Sequence, residues 1–420
     1  MTVAFKDAFT ELDMPFVEEH AAGNAVGHFW SPSSINGKTA TRTSSLYAYY
    51  DQISHRENLK FIAKHQVTEV VFDNDLTATG VKALDRDNEQ YLTFGAKKEV
   101  ILAAGAIFTP QTLQLSGLGP KSVLTAAGVE TKLDFPAVGS NFQDHPAVYL
   151  SFNVTNQFPN PSSLLSNATF FEEARKLYVD KLTGPLTKAQ ASYVGFLSLP
   201  SITNNSEAIL ADAENTSTSV FLPDIYSEDE RLVAGFKAQR DVLVKAIGAG
   251  DVAILELPVS GGGLIPNALQ KPFSRGTVHL NANDPTGVPV VLHNTIAHPF
   301  DRAAIFESLL FTRKLVNSKS VASLDPVEVK PGAQYTEQDE TIEALITSGA
   351  LSPTFSHPSC SCPMMPQELG GVVDSELLVY GTKKLSIIDA SILPVIPAAH
   401  LQATMYSVAE KAEDIIKARG

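Results

Sequence analysis

LSPTFSHPSCSCPMMPQELGGVVD (residues 351–374) and YGTKKLSIIDASILPVIPAAHLQATMYSVAEKAEDII (380–416) make up most of the stretch that organises the chain, Leu351 to Gly420. Leu385 to Ile388 is a short apolar run that reads as a buried strand, and it ends in Asp389-Ala390-Ser391. An amphipathic helix is expected to begin close after His400. A helix N-terminus facing a small-residue turn can hold an anion or the polar edge of a heterocycle. Two histidines, His357 and His400, stand on either side of the strand. The rest of the chain reads as scaffolding that brings these two imidazoles to one ligand.

A second buried strand lies far upstream. Val100 to Ala103 is a continuous apolar run ended by Ala104-Gly105-Ala106, as expected for a strand covered on both faces of a mostly parallel sheet. Small residues at its C-terminal end allow close approach to the backbone, at the place where α/β sheets bind ligands. Before it, LKFIAKHQVTEVVFDND (59–75) reads as two short strands with Val67, Val70 and Val71 as β-branched bulk, and residues 79–95 read as a hairpin. After it, Pro110 sits early in a short helix that Gly117 and Gly119 end. Asn141, Asp144 and His145 form a polar cluster, in which His145 taken alone reads as a structural hydrogen-bond partner.

The first fifty residues are rich in turns. Val3, Phe5, Phe9 and Leu12 have helical spacing, Gly23 and Gly27 mark turns, and Leu46 to Ile53 reads as helical. Residues from about Tyr149 to Ala350 lack a βαβ rhythm and read as a second, α+β domain, with antiparallel strands in LQKPFSRGTVHLNANDPTGVPVVLHN (269–294).

At 420 residues, with 44% hydrophobic and 19% charged residues, the chain is globular in composition and long enough for two or three domains. A net charge of -14 without a basic face argues against nucleic-acid binding. Cys360 and Cys362 are the only cysteines, so there is no disulfide framework and no second half for a structural zinc site. They read as two small, partly buried side chains in a loop. No apolar run is long enough to span a membrane, and the N-terminal residues do not resemble a signal peptide. Sequons at Asn153, Asn167, Asn204 and Asn215 would suit a glycosylated, secreted surface.

These segments together resemble the glucose–methanol–choline (GMC) family of flavin oxidoreductases. GAIFTPQTLQLSGLG (105–119) is similar to the family's second signature, with Thr112 where a larger aliphatic residue is usual. VGSNFQDHP (138–146) resembles its VGxNLQDHP turn, KPFSRGTVHLNANDP (271–285) matches as well, and the 351–420 block resembles the family's C-terminal block over its whole length. The resemblance implies α/β plus α+β: an incomplete FAD-binding, doubly wound GMC-type domain (1–148, rejoined by 351–420) and an antiparallel-sheet substrate-binding domain (149–350).

It further implies oxidation of an alcohol CH–OH group by hydride transfer to FAD, with oxygen or a quinone as electron acceptor. His357 corresponds to the catalytic base and His400 to its neighbour. Val67 corresponds to the residue whose backbone meets the adenine, and Gly105 and Ala106 to the dinucleotide turn. Asp389 and Ala390 correspond to the pyrophosphate and ribityl turn, Leu401 and Gln402 to residues close to the isoalloxazine, and Leu378 and Val379 to an oxygen-contacting pair.

Two departures stand out. The family's first strand, GxGxxG loop and helix have no counterpart, so the sequence is expected to start inside the family fold. The alternative is a flavin-free relative, acting as a non-redox cyclase or a ligand-binding pseudoenzyme. The second departure is His357-Pro358-Ser359-Cys360-Ser361 in place of His-Pro-Val-Gly-Thr. If the glycine serves a positive φ, cysteine there costs roughly 1 kcal/mol or more.

Overall fold

The computed structural model describes residues 2–155, 159–160, 162–189 and 191–419. Its largest element is a seven-stranded antiparallel sheet. The strands run in the order Gly27–Trp30, Tyr193–Leu197, Leu255–Val259, Leu264–Leu269, Ala147–Asn153 and Val327–Lys330, and Leu351–Ser352 also pairs with Ala147–Asn153. Tyr193–Leu197 and Leu255–Val259 are buried at every position. The helix Pro299–Val316 packs against Leu264–Leu269. There Asn267 donates to the Ser308 carbonyl at 3.0 Å and to the Thr312 hydroxyl at 2.8 Å, which satisfies a buried amide between sheet and helix.

The other side is built from smaller pieces. Val100–Leu102 and Leu385–Ile387, both read as strands, pair with each other in parallel, with Leu385 opposite Val100. His65–Phe72, Ala78–Asp85 and Gln90–Gly95 form a three-stranded meander, tied to the parallel pair where the Ala78 N–H donates to the Lys383 carbonyl at 2.8 Å. The helix Gly105–Leu115 follows Val100–Leu102, and Leu401–Arg419 follows His400, as expected.

Several expectations are corrected. Thr2–Glu11 is helical as its spacing suggested and buries Phe5, Ala8 and Phe9 on the Pro299–Val316 side, but Val3 points outward rather than joining the apolar face. Gly27–Trp30 is the edge strand of the large antiparallel sheet. The opening residues therefore join that sheet rather than the dinucleotide side, to which the whole of 1–148 was assigned, because pairing with Tyr193–Leu197 buries Phe29. Thr277–His279 and Val290–Leu292 do pair antiparallel, but as a separate two-stranded ribbon against Gly105–Leu115, where Gln114 donates to the Val278 carbonyl at 2.9 Å.

The stretch 59–75 yields one strand, not two. Val100–Leu102 is covered on one face only, since Ile101 is 41% exposed. Both cysteines are fully buried rather than partly so.

Pro110 lies well inside its helix rather than near its start. Proline has no N–H to give to the carbonyl four residues back, so the Ala106 oxygen is released from the helix ladder. That oxygen accepts the Ser361 hydroxyl at 2.6 Å. A local break in one helix thereby anchors the loop that carries His357.

Candidate active site

The loop 354–362 is held from below by the VGSNFQDHP turn, one residue at a time. Asn141 donates to the carbonyls of Cys360 at 3.2 Å and Pro394 at 3.0 Å. Gln143 and Ser359 exchange two backbone hydrogen bonds, at 2.9 and 3.1 Å. Asp144 accepts the Thr354 hydroxyl at 2.6 Å and the His357 N–H at 3.1 Å. The next residue, His145, is fully buried, and its Nδ1 lies 2.9 Å from Nδ1 of His357. His145 is thus a hydrogen-bond partner as its sequence suggested, but its partner is the candidate base.

Ser356 and Cys360, on either side of His357-Pro358-Ser359, have φ of 66° and 70°. The glycine that Cys360 replaces would fit this left-handed backbone without strain, so the cysteine costs about 1–2 kcal/mol there. The Cys360 N–H donates to the Ala390 carbonyl at 3.0 Å, and the buried side chain packs with Ile396 and Leu401.

His400 approaches from the other side. Its Nε2 lies 2.6 Å from Oε1 of Glu256, a fully buried carboxylate on Leu255–Val259 whose other oxygen accepts from Gln270 at 2.9 Å. The rings of His357 and His400 are 6.1 Å apart, and both line a cavity of about 720 Å³ together with Ser31, Arg42, Leu401 and Gln402. A second concavity runs along the helix Ala168–Lys181 and is lined by that helix's own residues, among them Glu172, Glu173, Arg175 and Lys176. No pair of imidazoles faces it, so the chemistry favours the histidine cavity.

The two histidines are tuned in opposite directions. Burial holds the His357 pKa below its ordinary 6.5, only partly countered by Glu256. The hydrogen bond to Glu256 raises that of His400. Around neutral pH the pair therefore offers one free base and one imidazole biased toward its cation.

Asp389 draws the other site residues together. It accepts the Gly105 N–H at 3.0 Å, the Thr109 hydroxyl at 2.5 Å and the Ser391 N–H at 2.8 Å. Gly105, Ala106, Asp389 and Ala390 thus meet at the ends of the parallel strands and connect through Cys360 and Ser361 to the His357 loop. Leu401 and Gln402 line the histidine cavity, and Gln402 accepts the Ser34 hydroxyl at 3.1 Å.

Val67, Leu378 and Val379 are not brought to that cavity. Val67 sits in the edge strand His65–Phe72 of the meander, and Val379 is buried against Leu385. Glu256 was missed in the sequence. Its signal is a single carboxylate inside the apolar run AILELPV, where a buried charge needs a partner.

The GMC oxidoreductase family models match residues 5–147 and 272–409. The chain belongs to the GMC oxidoreductase family. Among its relatives is the dehydrogenase xptC of Emericella nidulans, 37% identical over 94% of this chain and 64% of that protein. The chain spans less than two thirds of the length of the first curated relatives it matches. Among solved GMC-type structures, an FAD-dependent oxidoreductase from Chaetomium thermophilum superposes with a TM-score of 0.94 at 32% identity, covering 100% of this chain and 72% of that one. A fungal aryl-alcohol oxidase gives 0.91 at 33% identity, covering 98% of this chain and 70% of the other. In this GMC oxidoreductase chain the histidine cavity is walled by residues 31–35, 186, 189 and 191–192 together with His357, His400, Leu401 and Gln402.

Proposed function

We propose that His357 acts as the base in FAD-dependent oxidation of an alcohol. The observation that carries this reading is the pair of imidazoles in one cavity, His357 with a lowered pKa and His400 with a raised one. A neutral imidazole accepts the hydroxyl proton as the carbon is oxidised. His400, steadied by Glu256, presents positive charge to the oxygen that loses its proton. Ser34 and Arg42 at the cavity wall would orient the rest of the substrate.

The turn after Val100–Leu102 fits the close approach of a dinucleotide such as FAD. Ala103 and Ala104 are exposed at the end of Val100–Leu102, and Gly105 has φ of 82° with open space where a Cβ would stand. The turn Gly105-Ala106 would meet the dinucleotide, Asp389-Ala390 the pyrophosphate and ribityl chain, Leu401-Gln402 the isoalloxazine, and Val67 the adenine. Bound there, FAD supplies the two-electron acceptor. The substrate is a small-molecule alcohol, and the relationship to an aryl-alcohol oxidase favours an aromatic one with oxygen as final acceptor. All four sequon asparagines are exposed, which supports a glycosylated, secreted protein.

The test is reduction of the FAD-loaded protein by an aryl alcohol under anaerobic conditions. His357→Gln should slow reduction by about 10²–10⁴-fold, the range of a positioned base. An unchanged rate refutes the assignment, and failure to take up FAD refutes the cofactor.

A further inference from the structure

We propose that His145 is a positioning residue that fixes His357 in its Nδ1–H tautomer, which leaves Nε2 of His357 as the bare, proton-accepting atom. The inference rests on the reading of His357 as the base. It begins with the 2.9 Å contact between the two Nδ1 atoms. Such a contact holds a single proton, so one ring donates and the other accepts. His145 is fully buried, and burial drives its pKa well below 6.5, so its ring carries one proton near neutral pH.

Two arrangements satisfy the contact. In the first, His145 donates from Nδ1, and neutral His357 must then carry its proton on Nε2. Nε2 has no lone pair to offer in that form, and protonating His357 would set two N–H groups against each other. In the second, the proton of His145 sits on Nε2, its bare Nδ1 accepts from His357, and Nε2 of His357 is unprotonated. Only the second arrangement lets His357 take a proton without any ring changing tautomer.

The role of His357 selects the second. Its Nδ1 is turned to His145, so Nε2 is the ring nitrogen left for the cavity that His357 lines, and a base there needs that atom bare. Nε2 of His145 has no hydrogen-bond partner among the described residues. The backbone holds the geometry on both sides. The His145 N–H donates to the Asp144 carboxylate at 2.7 Å, and the same oxygen accepts the His357 N–H at 3.1 Å.

The charged and titratable groups facing the pair are Lys271 and His400, which oppose protonation of His145, and Glu256 and Asp144, which favour that of His357. With a second nitrogen base holding its Nδ1 proton, His357 is oriented much as a buried acceptor orients the histidine of a hydrolase triad, where the wrong tautomer costs about 10⁴ in rate.

The decisive measurement is a long-range ¹H–¹⁵N spectrum of the histidine-labelled chain near pH 7.5, with His357 assigned by the signals lost in His357→Gln. The expected result is a protonated Nδ1 and an unprotonated, downfield Nε2. H145N supplies an amide oxygen that still accepts, and it should keep this form. H145L removes the acceptor and should shift His357 toward the Nε2–H form. In the FAD-loaded protein, H145L should also slow reduction by alcohol by at least about tenfold, within what a positioned base supplies, while H145N recovers most of the rate. A parent chain whose His357 is already Nε2–H overturns the proposal, as does an H145L chain that keeps the Nδ1–H form. If H145L does not fold, the parent and H145N spectra decide. Unchanged reduction in His357→Gln with the expected spectra refutes the base assignment alone, so the two failures are separable.

Discussion

The large antiparallel sheet and the parallel strand pair solve the same packing problem to different depths. Tyr193–Leu197 and Leu255–Val259 are flanked by strands on both sides and buried at every residue. Val100–Leu102 has a single strand partner and leaves Ile101 41% exposed, with Phe108 on the following helix 46% exposed. The sheet supplies rigidity and, through Glu256, the partner that biases His400. The strand pair ends in open backbone, with Ala103 and Ala104 exposed and space where a Cβ of Gly105 would stand. Stability and access are thus divided between two regions, and the histidines stand at the boundary.

The largest effect that would test this division is acid loss of stability. Burial lowers the pKa of His279 and His298 to about 4 and drives that of His145 well down. All three stay neutral in the folded chain but take a proton in the unfolded chain below about pH 6.5. Stability should therefore fall as pH drops from 6.5 toward 4, by on the order of a few kcal/mol for each of His279 and His298, with His145 adding in the same direction. His400 has the opposite sign. Its raised pKa gives a contribution present at low pH and lost as pH rises through its folded value, and it is weaker because its side chain is 43% exposed. Denaturant titrations across this range should show the fall, and a flat profile would contradict neutral burial.

Next in size, Leu255→Ala in the middle of the sheet should cost about 2–5 kcal/mol. Ile101→Ala on the strand pair should cost less than about 1 kcal/mol, since its side chain already meets solvent. Equal costs in chemical denaturation would erase the contrast between the regions.

The two cysteines give the finest comparison. Cys362→Gly removes a buried side chain and should lose about 1–2 kcal/mol. Cys360→Gly loses similar burial but relieves a φ of 70°, so its net change should stay within about 1 kcal/mol. If both variants fall equally in thermal melts, the strain at Cys360 is not real.

Much of this was legible in the sequence because it depends on local pattern. The apolar runs ending in Ala104-Gly105-Ala106 and Asp389-Ala390-Ser391 were each legible as strands, and His357 and His400 stood out in their motifs. What escaped depends on register between distant segments. Nothing near Gly27 says that it will face Phe196, or near His145 that its ring will meet His357. Ile101 was misjudged because an apolar triplet does not reveal how many neighbours its strand will have. Glu256 was open to detection, since a lone charge in an apolar strand demands a partner.

The contact between Gly105 and Asp389 has a consequence in time. The two residues are 284 positions apart in the chain. At translation rates of roughly 5–20 residues per second, about 15–60 s pass between synthesis of one and of the other. For that interval the strand Val100–Leu102 has no Leu385–Ile387 to pair with, and the turn beside it lacks the carboxylate that organises it. The large sheet gathers its strands over the same interval, from Gly27 to Ser352. On the ribosome, the large sheet can therefore close before the parallel strand pair does. Until Leu385–Ile387 is made, the apolar segment Val100–Leu102 waits for its parallel partner.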